Sequence, residues 1–559
     1  MLKTLNARLF LWLALSVALI LNYQMWLRDY PSAAPVSAAP AGSSTLDDAA
    51  PVATPTDAAA PAAVPRPAAA AATATAEVLP AAGTVRVSTD VLDMDISLAG
   101  GELRRADLPI YPLVKNRPEP VRLLSRDAAD SEFVLQSGLA GAVGANAPTH
   151  QAVFTSTTSE FRLADGQDEL KVPLTWTDGQ GVAVVKTYTF RRGSYQIDVD
   201  YSIENAASFP WTYASYAQLL RYNQPVETSY FRPETYSFKG PAYFDGTRYQ
   251  KLKIDDADTQ LDQSVRGGWI AGMQHHFVAA VVPNAEGDYR YLLRKQGNQY
   301  LITATGPTRQ VGAGETATQR ETFFVGPKLQ AQLEKAGPDL FRVADYGRLT
   351  IIAQPLFWVM DQVHAVVGNW GFTIIIVTFL LKLLFYPLSE ASGRSMAKMK
   401  MLAPRIKNLQ ETYKDQRDKL GKAMMELYQR EKVNPVAGCL PMLVQIPVFL
   451  AFYWVLLESV EMRQAPFMLW INDLSARDPL FILPAIMAAA MFIQYKLNPQ
   501  MGTDPMQQKI FMILPLVMSV TFAFFPAGLV LYWVTNTVLS ILQQWNINRR
   551  IEAAAKARN

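Results

Sequence analysis

The apolar segments of this 559-residue chain are concentrated in its C-terminal third, and this uneven distribution constrains the fold more than any other feature. Residues up to about 340 are mostly polar, whereas Ile351–Trp545 contains five long apolar stretches. A helix needs about 20 apolar residues to cross a bilayer. The sequence therefore predicts a polar extramembrane region followed by a helical membrane region.

The N-terminal residues contain a further apolar run. Leu9–Leu21 follows the basic residue Lys3, and the longer segment Leu5–Leu27 has about the 20 residues that span a bilayer. No small-residue cleavage site directly follows the apolar core. We therefore predict that residues 1–30 form an uncleaved transmembrane anchor with a cytoplasmic N terminus. Cleavage within residues 32–39 is the alternative.

A spacer and a β-domain are expected next. Residues 31–83 are dominated by Ala and Pro, a composition that cannot bury a core, and are interpreted as a linker. From about Thr84 to Phe324, alternating segments such as TVRVSTD and YQIDVDYSI are separated by turn signals such as DGQG and RRGS. This pattern predicts an antiparallel β-sandwich, assigned to residues 84–340, with a short helix at Lys328–Lys335. Because a membrane anchor precedes it, we expect the β-domain outside the cytoplasm.

An amphipathic segment and five spans follow the β-domain. Leu349–His364 mixes large apolar side chains with Asp361 and His364, which predicts a helix along the membrane surface within residues 341–365. The five apolar stretches are interpreted as transmembrane helices, and the anchor brings their number to six. Their expected ranges are Val366–Tyr386, Cys439–Leu457, Leu480–Tyr495, Ile510–Phe525 and Leu529–Gln543.

The charges of the loops predict the orientation of the spans. Leu388–Val433 holds eleven Lys and Arg residues, whereas Glu458–Pro479 holds only Arg463 and Arg477. The positive-inside rule places the first of these loops in the cytoplasm. Together with the basic tail at 549–559, this predicts that both termini are cytoplasmic and that the β-domain is periplasmic.

The composition argues against several chemistries. The single cysteine, Cys439, cannot form an intramolecular disulfide. Two of the four histidines, His275 and His276, are adjacent and would point to opposite faces of a strand, so we expect no metal site. The sequence has no G-x-x-x-x-G-K-[ST] phosphate loop and no convincing G-x-S-x-G turn. We therefore expect neither a cofactor nor ATP hydrolysis.

Lys382 lies inside the apolar run Gly371–Tyr386, where a charge near mid-membrane costs about 2.5 to 3.5 kcal/mol. Thr378 shares its helix face, because residues four apart are neighbours on a helix. The polar candidates on other spans are Gln445, Tyr532, Asn536 and Ser540. Together they predict a polar intramembrane site whose cation attracts a carboxylate from another molecule. Alternatively, Lys382 snorkels to the interface and the polar residues only join helices.

The basic loop is predicted to form a cytoplasmic helical hairpin over 388–433. Its helices are expected at about Ala391–Glu411 and Asp418–Glu431. Flexible methionine side chains suit a surface that accepts varied apolar partners. The candidate contact residues are Met396, Met399, Met424 and Met425. For the basic residues, a solvated face is the alternative.

Six blocks of the C-terminal region resemble the bacterial YidC insertases of the YidC/Oxa/Alb family. They occur in order between about Gly368 and Asn548: GNWGFTIIIVTFLLKLLFYPL, SMAKMKMLAPRI, EKVNPVAGCLPMLVQIPVFLAFY, VEMRQAPFMLWINDLSARDP, TDPMQQKI and FPAGLVLYWVTN. The anchor followed by a large β-domain is similar to the Gram-negative form, whose periplasmic domain is a β-supersandwich. The resemblance implies a five-helix insertase core over 366–548 and a location in the bacterial inner membrane.

The resemblance also implies a mechanism. Members of this family have a groove that is open to cytoplasm and lipid, closed to the periplasm, and lined by a positive residue on the second span. Lys382 stands where the family commonly has Arg, which keeps the charge but loses the planar bidentate fork. Tyr532 or Trp533 matches the aromatic position of the family's substrate-contacting surface, with Thr378 opposite.

The function implied by the resemblance is a non-enzymatic insertase and chaperone for nascent integral membrane proteins. It would act alone or with the Sec translocon, in contact with membrane lipid. The basic loop and tail make the ribosome a candidate partner, and we expect no specific recognition of nucleic acid.

Two other function classes are weighed against this one. The β-sandwich could belong to a membrane-anchored carbohydrate-binding or carbohydrate-modifying periplasmic protein, but no carboxylate spacing marks a catalytic pair and the six blocks would be unexplained. A secondary transporter would explain an intramembrane charge, but such proteins commonly contain repeated groups of spans and none is convincing here.

Overall fold

The computed structural model describes residues 46–48, 51, 83–142, 145–225, 235, 237–413, 416–431, 440–497 and 505–556. The predicted anchor and most of the predicted spacer lie outside these residues. The protein forms two compact units. The first, here called the β-domain, comprises Ala39–Val226 and Ser237–Ala344, and the second, here called the helical unit, contains Asp345–Asn559.

The β-domain contains two large sheets. One has ten strands in the order β13-β16-β17-β10-β5-β3-β2-β1-β6, with β4 beside β3, and the other has eight in the order β12-β11-β14-β15-β18-β9-β8-β7. The strands are β1 Thr84–Ser88, β2 Asp93–Ser97, β3 Leu103–Pro112, β4 Pro120–Leu124, β5 Phe133–Gly141, β6 Glu160–Arg162, β7 Glu169–Thr177, β8 Val182–Arg191, β9 Gln196–Asn205, β10 Trp211–Tyr222, β11 Gly240–Phe244, β12 Tyr249–Lys251, β13 Asp262–Arg266, β14 Trp269–Met273, β15 Phe277–Val282, β16 Asp288–Gln296, β17 Gln299–Val311 and β18 Thr316–Pro327.

The predicted β-sandwich of antiparallel sheets is confirmed, with one exception in the strand pairing. The short strand β6 runs parallel to β1. Along β7 every second residue is buried, as expected for a strand with one face on the core. Strand β10 is buried over nearly its whole length, because both of its faces are covered.

Polar groups join the two sheets inside the core of the β-domain. Lys186 on β8 is fully buried, and its Nζ donates to the carbonyl oxygen of Ser137 on β5 at 2.9 Å. The Tyr201 hydroxyl on β9 donates to Ser137 Oγ at 2.9 Å. A buried polar group is tolerated only when its hydrogen bonds are made, so these contacts fix how the sheets face each other.

A short helix, α1 Gln330–Ala336, follows β18, as the sequence predicts. The helical unit contains eight longer helices in the described residues. They are α2 Thr350–Val367, α3 Trp370–Leu384, α4 Tyr386–Thr412, α5 Arg417–Arg430, α6 Leu440–Glu458, α7 Ile482–Leu497, α8 Pro505–Phe522 and α9 Ala527–Lys556. Every span, surface helix or hairpin helix that is predicted to follow the β-domain is therefore helical, with shifted ends.

The junction between α2 and α3 shows how local sequence sets these ends. Gly368 ends α2 in the left-handed region, with φ +68°, where a residue without a Cβ is unstrained. Asn369 caps α3, because its side-chain oxygen accepts from the amides of Gly371 and Phe372. The Trp370 ring stacks on His364 with centroids 3.9 Å apart. The sequence GNWG thus encodes a helix–turn–helix connection.

Helix α2 has apolar side chains on both a buried and an exposed face. Phe357 and Met360 are buried in the apolar core of the helical unit, whereas Ile351 and Trp358 are 83% and 64% exposed. Residues spaced in this way lie on opposite faces of a helix. The rest of the helical unit therefore leaves apolar side chains on one face of α2 uncovered.

Helices α3 and α4 form a bent pair. Pro387 lies in the first turn of α4, and the two axes meet at 61°. Proline ends or kinks a helix because it lacks an amide hydrogen and clashes with the preceding turn. Within the described part of the protein, no single helix has both the length and the apolar composition of a full membrane span, whereas Trp370–Leu384 together with Tyr386–Gly393 has them.

Candidate functional site

Three helices of the helical unit surround a small polar pocket. Helix α3 supplies Thr378 and Lys382, α6 supplies Gln445, and α9 supplies Tyr532 and Asn536. The apolar side chains that complete the lining are Leu381, Phe385 and Val448. The pocket holds about 260 Å³ of empty space when its open side is included. Because this volume includes open solvent, the enclosed space is far smaller than a typical small-molecule site and suits a water molecule or the end of a polar side chain.

The helical repeat explains why these residues meet. Thr378 and Lys382 are four apart on α3, and Tyr532 and Asn536 are four apart on α9, so each pair lies on one helix face. Five of the candidate residues therefore line one pocket, namely Thr378, Lys382, Gln445, Tyr532 and Asn536. Trp533 does not line the pocket.

Lys382 is half-buried and directed at α9. Its Nζ donates a hydrogen bond to Ser540 Oγ at 2.8 Å, and that hydroxyl donates to the carbonyl oxygen of Asn536 at 2.7 Å. Among the described residues, no carboxylate lies within ion-pair distance of Nζ. An ammonium group has three N–H donors, so Lys382 retains donors and an uncompensated positive charge.

Ser540, one of the polar candidates in the sequence, contacts Lys382 without lining the pocket itself. It belongs to the stripe of residues at intervals of four that begins at Tyr532. The spacing to Asn536 is the available signal, because it places both side chains on the face turned to α3.

The other polar side chains of the pocket are held by their own surroundings. The Thr378 hydroxyl is buried and donates to the carbonyl oxygen of Ile374 at 2.6 Å. The Tyr532 ring is 4% exposed and stacks on Phe452, with centroids 4.5 Å apart. Gln445 is half-buried. The pocket wall is thus fixed by packing, whereas the end of Lys382 is not enclosed.

Trp533 belongs to an aromatic cluster beside the pocket. Its ring lies edge-on to Phe449 at 4.8 Å and near Phe522 at 5.2 Å between centroids. Successive residues of a helix point about 100° apart, so Trp533 cannot share the face of Tyr532. Of the two aromatic candidates on α9, the structure places Tyr532 in the pocket wall.

A folded loop covers the end of the helices opposite Lys382. In residues 459–481, Ile471 and Leu474 are buried, and the Leu474 carbonyl oxygen accepts from the amide of Gly528 at the start of α9 at 2.9 Å. Asn369, at the start of α3, donates to the Phe467 carbonyl oxygen at 3.0 Å.

Thirteen residues separate Asn369 from Lys382, which at about 1.5 Å per residue is roughly 20 Å. The pocket is therefore closed by protein at the loop end, and Lys382 lies far from that closure along α3.

The methionines of the predicted hairpin surface have different positions. Met399 on α4 and Met424 on α5 pack against Leu402 and Ile406, inside the hairpin. Met425 is 57% exposed. The side chain of Met396 lies outside the described residues. Met399 and Met424 are therefore partly buried in the packing between the two helices, whereas Met425 is exposed.

The described part of the protein contains no group of three or more His, Cys, Asp or Glu side chains arranged to hold a metal ion. The adjacent rings of His275 and His276 stack on each other at 3.8 Å between centroids. The polar pocket is therefore the candidate site that the geometry of the helical unit supports.

Two protein families match almost all of the residues that follow the spacer. Residues 84–359 match the family described as the YidC periplasmic domain, and residues 362–555 match the 60Kd inner membrane protein family.

Full-length relatives agree with these matches. The sequence is 49% identical to a membrane protein insertase YidC of Thioalkalivibrio sulfidiphilus, covering 99% of each protein. It is 44% identical to the protein of the same name from Nitrosococcus oceani, covering 98% of this protein and 99% of the relative. Among solved structures, the crystal structure of an active YidC insertase with its first transmembrane domain resolved shares 19% identity and a TM-score of 0.37, covering 83% of this protein and 92% of that one.

Proposed function

The chain belongs to the YidC family of membrane protein insertases, and from this premise we propose that it inserts integral proteins into the bacterial inner membrane and assists their folding. Lys382 and the pocket around it are the working site. The observation that carries this assignment is a lysine directed between two helices with one neutral hydrogen-bond partner and no described carboxylate beside it.

The topology proposed for the protein has six spans. The anchor within residues 1–30 precedes α3, α6, α7, α8 and α9, and the distribution of Lys and Arg places both termini in the cytoplasm. The β-domain is then periplasmic, α2 lies along the periplasmic surface, and α4 and α5 form a cytoplasmic hairpin. The loop at 459–481 closes the pocket towards the periplasm.

Exposed apolar side chains support this placement. On α3, Phe379, Leu383 and Leu384 are 50%, 60% and 69% exposed, and on α8 Leu516 and Val517 are 62% and 54% exposed. Continuous apolar surface of this kind on a protein marks contact with lipid or with another protein. Helices that expose such a face to lipid lose nothing, because lipid tails are as apolar as leucine.

The depth of Lys382 favours a cavity over a snorkelling anchor. Its roughly 20 Å separation from Asn369 leaves about 10 Å of a 30 Å hydrocarbon core on the cytoplasmic side. A snorkelling lysine extends its side chain along the helix surface towards the headgroups. Lys382 instead reaches Ser540 on α9.

The proposed mechanism follows from the positive charge of Lys382 and from the closure of the pocket by the loop at 459–481. A client's polar extracytoplasmic segment enters the pocket region from the cytoplasm, and its acidic side chains are attracted to Lys382. The client's apolar helix meanwhile moves along the exposed apolar faces into lipid. Transfer of about 20 apolar residues from water to lipid is strongly favourable, so the step needs no covalent chemistry by this protein. A membrane potential adds about 2.3 kcal/mol per translocated charge per 100 mV.

The proposed partners extend beyond the client. Met425 and the exposed basic residues of the hairpin are positioned to meet incoming polypeptides, and the basic tail is suited to the acidic surface of a ribosome. The Sec translocon is the proposed membrane partner when clients carry long extracytoplasmic segments. Relatives that match both halves of the protein leave the carbohydrate-protein alternative without specific support.

Insertion of a small one-span client into nucleotide-free liposomes tests the proposal. We expect wild type and Lys382→Arg to insert the client and Lys382→Glu to be slower by about tenfold or more, the equivalent of roughly 1.4 kcal/mol. Lys171→Glu, which reverses an exposed charge on β7, far along the sequence from the pocket and the hairpin, is the matched control and should insert normally. Equal insertion by all four proteins would mean that Lys382 is only a structural side chain.

A further inference from the structure

A short segment of the predicted spacer is bound to the β-domain. Leu46–Asp48 forms a single helical turn, and both Leu46 and Asp47 are half-buried. Leu46 packs against the buried side chains of Val134, Leu220 and Leu301. The predicted spacer at 31–83 thus contains one turn whose apolar and acidic side chains have complementary partners on a sheet.

The sheet offers two adjacent rows of side chains to this turn. Val134 on β5, Leu220 on β10 and Leu301 on β17 are direct cross-strand neighbours and form an apolar row. Two residues away along each strand lie Gln136, Gln218 and Thr303, which are also cross-strand neighbours and form a polar row. Residues two apart on a strand share a face, so the rows lie side by side.

The polar row is oriented by its own hydrogen bonds. Thr303 Oγ1 donates to Gln218 Oε1 at 3.3 Å, and Gln218 Nε2 donates to Gln136 Oε1 at 2.7 Å. The amide group of Gln136 is thereby fixed with its NH₂ outward, where it donates to Asp47 Oδ1 at 2.8 Å. All three side chains are buried, so this is a preorganised donor.

Two further groups hold the turn. Arg126 forms an ion pair with the other carboxylate oxygen of Asp47. His150 Nε2 lies 2.9 Å from the Asp47 carbonyl oxygen, and its Nδ1 lies 2.6 Å from the Tyr216 hydroxyl. Because the carbonyl can only accept, Nε2 carries the proton and Nδ1 accepts from Tyr216. Burial lowers the pKa of His150, which keeps the ring in this neutral form.

Arg126 has acidic partners besides Asp47. Arg126 also donates to Glu102 at 2.6 and 2.7 Å and lies 3.4 Å from Glu132. Loss of Asp47 would therefore leave no unpaired buried cation, and it would remove a third carboxylate from the cluster. An ion pair whose arginine keeps other partners is an exchangeable contact rather than an obligatory part of a core.

We propose that this face of β5, β10 and β17 is a peptide-binding site for a segment with an aliphatic residue followed by aspartate, and that Leu46–Asp48 occupies it in cis. The apolar row takes the aliphatic side chain, and Gln136 with Arg126 takes the carboxylate. His150 donates a hydrogen bond to the backbone carbonyl oxygen of the aspartate. A segment of the same chemistry in another polypeptide binds when the cis turn is displaced.

Binding of a fluorescent octapeptide with the sequence of residues 43–50, SSTLDDAA, tests this proposal on the full-length protein. The double variant Leu46→Ser/Asp47→Asn vacates the site without changing any strand. A tethered competitor acts at millimolar effective concentration, so we expect the vacated variant to bind the peptide at least about tenfold more tightly than wild type. Asp57→Asn, which removes an acidic side chain elsewhere in the spacer, is the matched control and should behave as wild type.

Two additional measurements separate the proposal from nonspecific binding. The peptide SSTLNDAA should bind the vacated variant at least about fivefold more weakly, because a neutral amide loses the ion pair to Arg126. A photoreactive leucine analogue at position 46 should crosslink to β5, β10 or β17 in the otherwise unaltered protein. Equal peptide binding by wild type and the vacated variant, equal binding of the two peptides, or crosslinks only to other strands would overturn the proposal.

Discussion

Lys186 of the β-domain and Lys382 of the helical unit are both withdrawn from water, but their surroundings differ. The Lys186 ammonium is fully buried and donates to three backbone carbonyl oxygens at 2.9 to 3.3 Å, with Tyr188 and Tyr201 rings beside it. The Lys382 ammonium is half-buried and donates to one serine hydroxyl.

An ammonium group with all three donors used holds a structure together, whereas one with spare donors is available to a ligand. The comparison therefore separates a structural lysine, Lys186, from a lysine available to a ligand, Lys382.

The largest effect on stability is expected from Lys186→Met. The change removes a donor from the carbonyl oxygens of Gly100, Gly101 and Ser137, of which Gly101 keeps only the Tyr188 hydroxyl, and removes the positive charge that acts on the buried carboxyl of Glu321. Breaking one side of such a buried arrangement costs about 3 to 5 kcal/mol. Hydrogen exchange of β8 and β9 in the full-length protein measures the loss. The matched control is Lys171→Met on the neighbouring strand β7, where the side chain is exposed, and an equal result for both variants would show that Lys186 is not structural.

The pH dependence of β-domain stability should report the same buried pair. Burial lowers the pKa of Lys186 to about 7 and raises the pKa of Glu321 to about 7. Between the ordinary Glu pKa and pH 7, the folded state binds more protons at Glu321 than the unfolded state, so stability falls as pH rises. Between pH 7 and the ordinary Lys pKa, the unfolded state binds more protons at Lys186, so stability rises with pH.

Glu321 and Lys186 together therefore give a minimum in β-domain stability near pH 7. Thermal unfolding across pH should lose the falling limb in Glu321→Gln and the rising limb in Lys186→Met. Profiles of both variants parallel to wild type would contradict this assignment.

Gly371→Ala tests the closed end of the helical unit. An added Cβ would lie 2.0 Å from the Phe467 ring, so α3 or the loop at 459–481 must shift, at a cost of about 1 to 3 kcal/mol. Gly421→Ala on α5 is the control, because nothing lies within 4 Å of its Cβ position and alanine favours a helix by about 1 kcal/mol. Thermal unfolding in detergent should show opposite shifts for the two variants, and shifts of the same sign would refute the close packing.

The smallest effect on stability is expected from removing the hydrogen-bond partner of Lys382. Ser540→Ala removes the hydrogen bond of Lys382 to α9, a contact worth about 0.5 to 1.5 kcal/mol, and should change the unfolding temperature little. The variant should insert the client about two- to threefold more slowly, because Lys382 stays in the pocket but is no longer oriented by a hydrogen bond to Ser540. Thr521→Ala, at an exposed turn of α8 where the hydroxyl donates only to its own helix, is the control. A loss of insertion as large as that of Lys382→Glu would mean that Ser540, rather than the charge, is the essential group.

The sequence predicts the helices well because long apolar runs and their flanking charges are local signals. The ends are harder, since Gly368 and Asn369 act through backbone geometry that a hydropathy pattern does not contain. The pocket is predictable from residues at intervals of four. The neighbours of Trp533 are not predictable from the sequence, because they depend on how α9 is rotated against α6.

Pairings between distant segments escape prediction for a related reason. Nothing local in the spacer indicates that Leu46 and Asp47 meet two rows of a sheet, because those rows exist only after β5, β10 and β17 align. Lys186 interrupts the apolar face of β8 between Val184 and Tyr188, but nothing local shows which carbonyl oxygens receive its ammonium. Met399 and Met424 pack within the hairpin because α4 and α5 each have an apolar face, which the sequence shows only when both helices are considered together.

Exchanging charges between the protein and its client tests most directly whether Lys382 receives the client's translocated segment. A one-span client with a single aspartate in its translocated segment, and a second client with lysine at that position, are inserted into liposomes without a membrane potential by wild type and by Lys382→Glu. We predict that wild type favours the aspartate client and that Lys382→Glu favours the lysine client, because the interaction is between charges in a partly dry pocket. The same preference in both proteins would contradict the assignment of Lys382 as the group that receives the client.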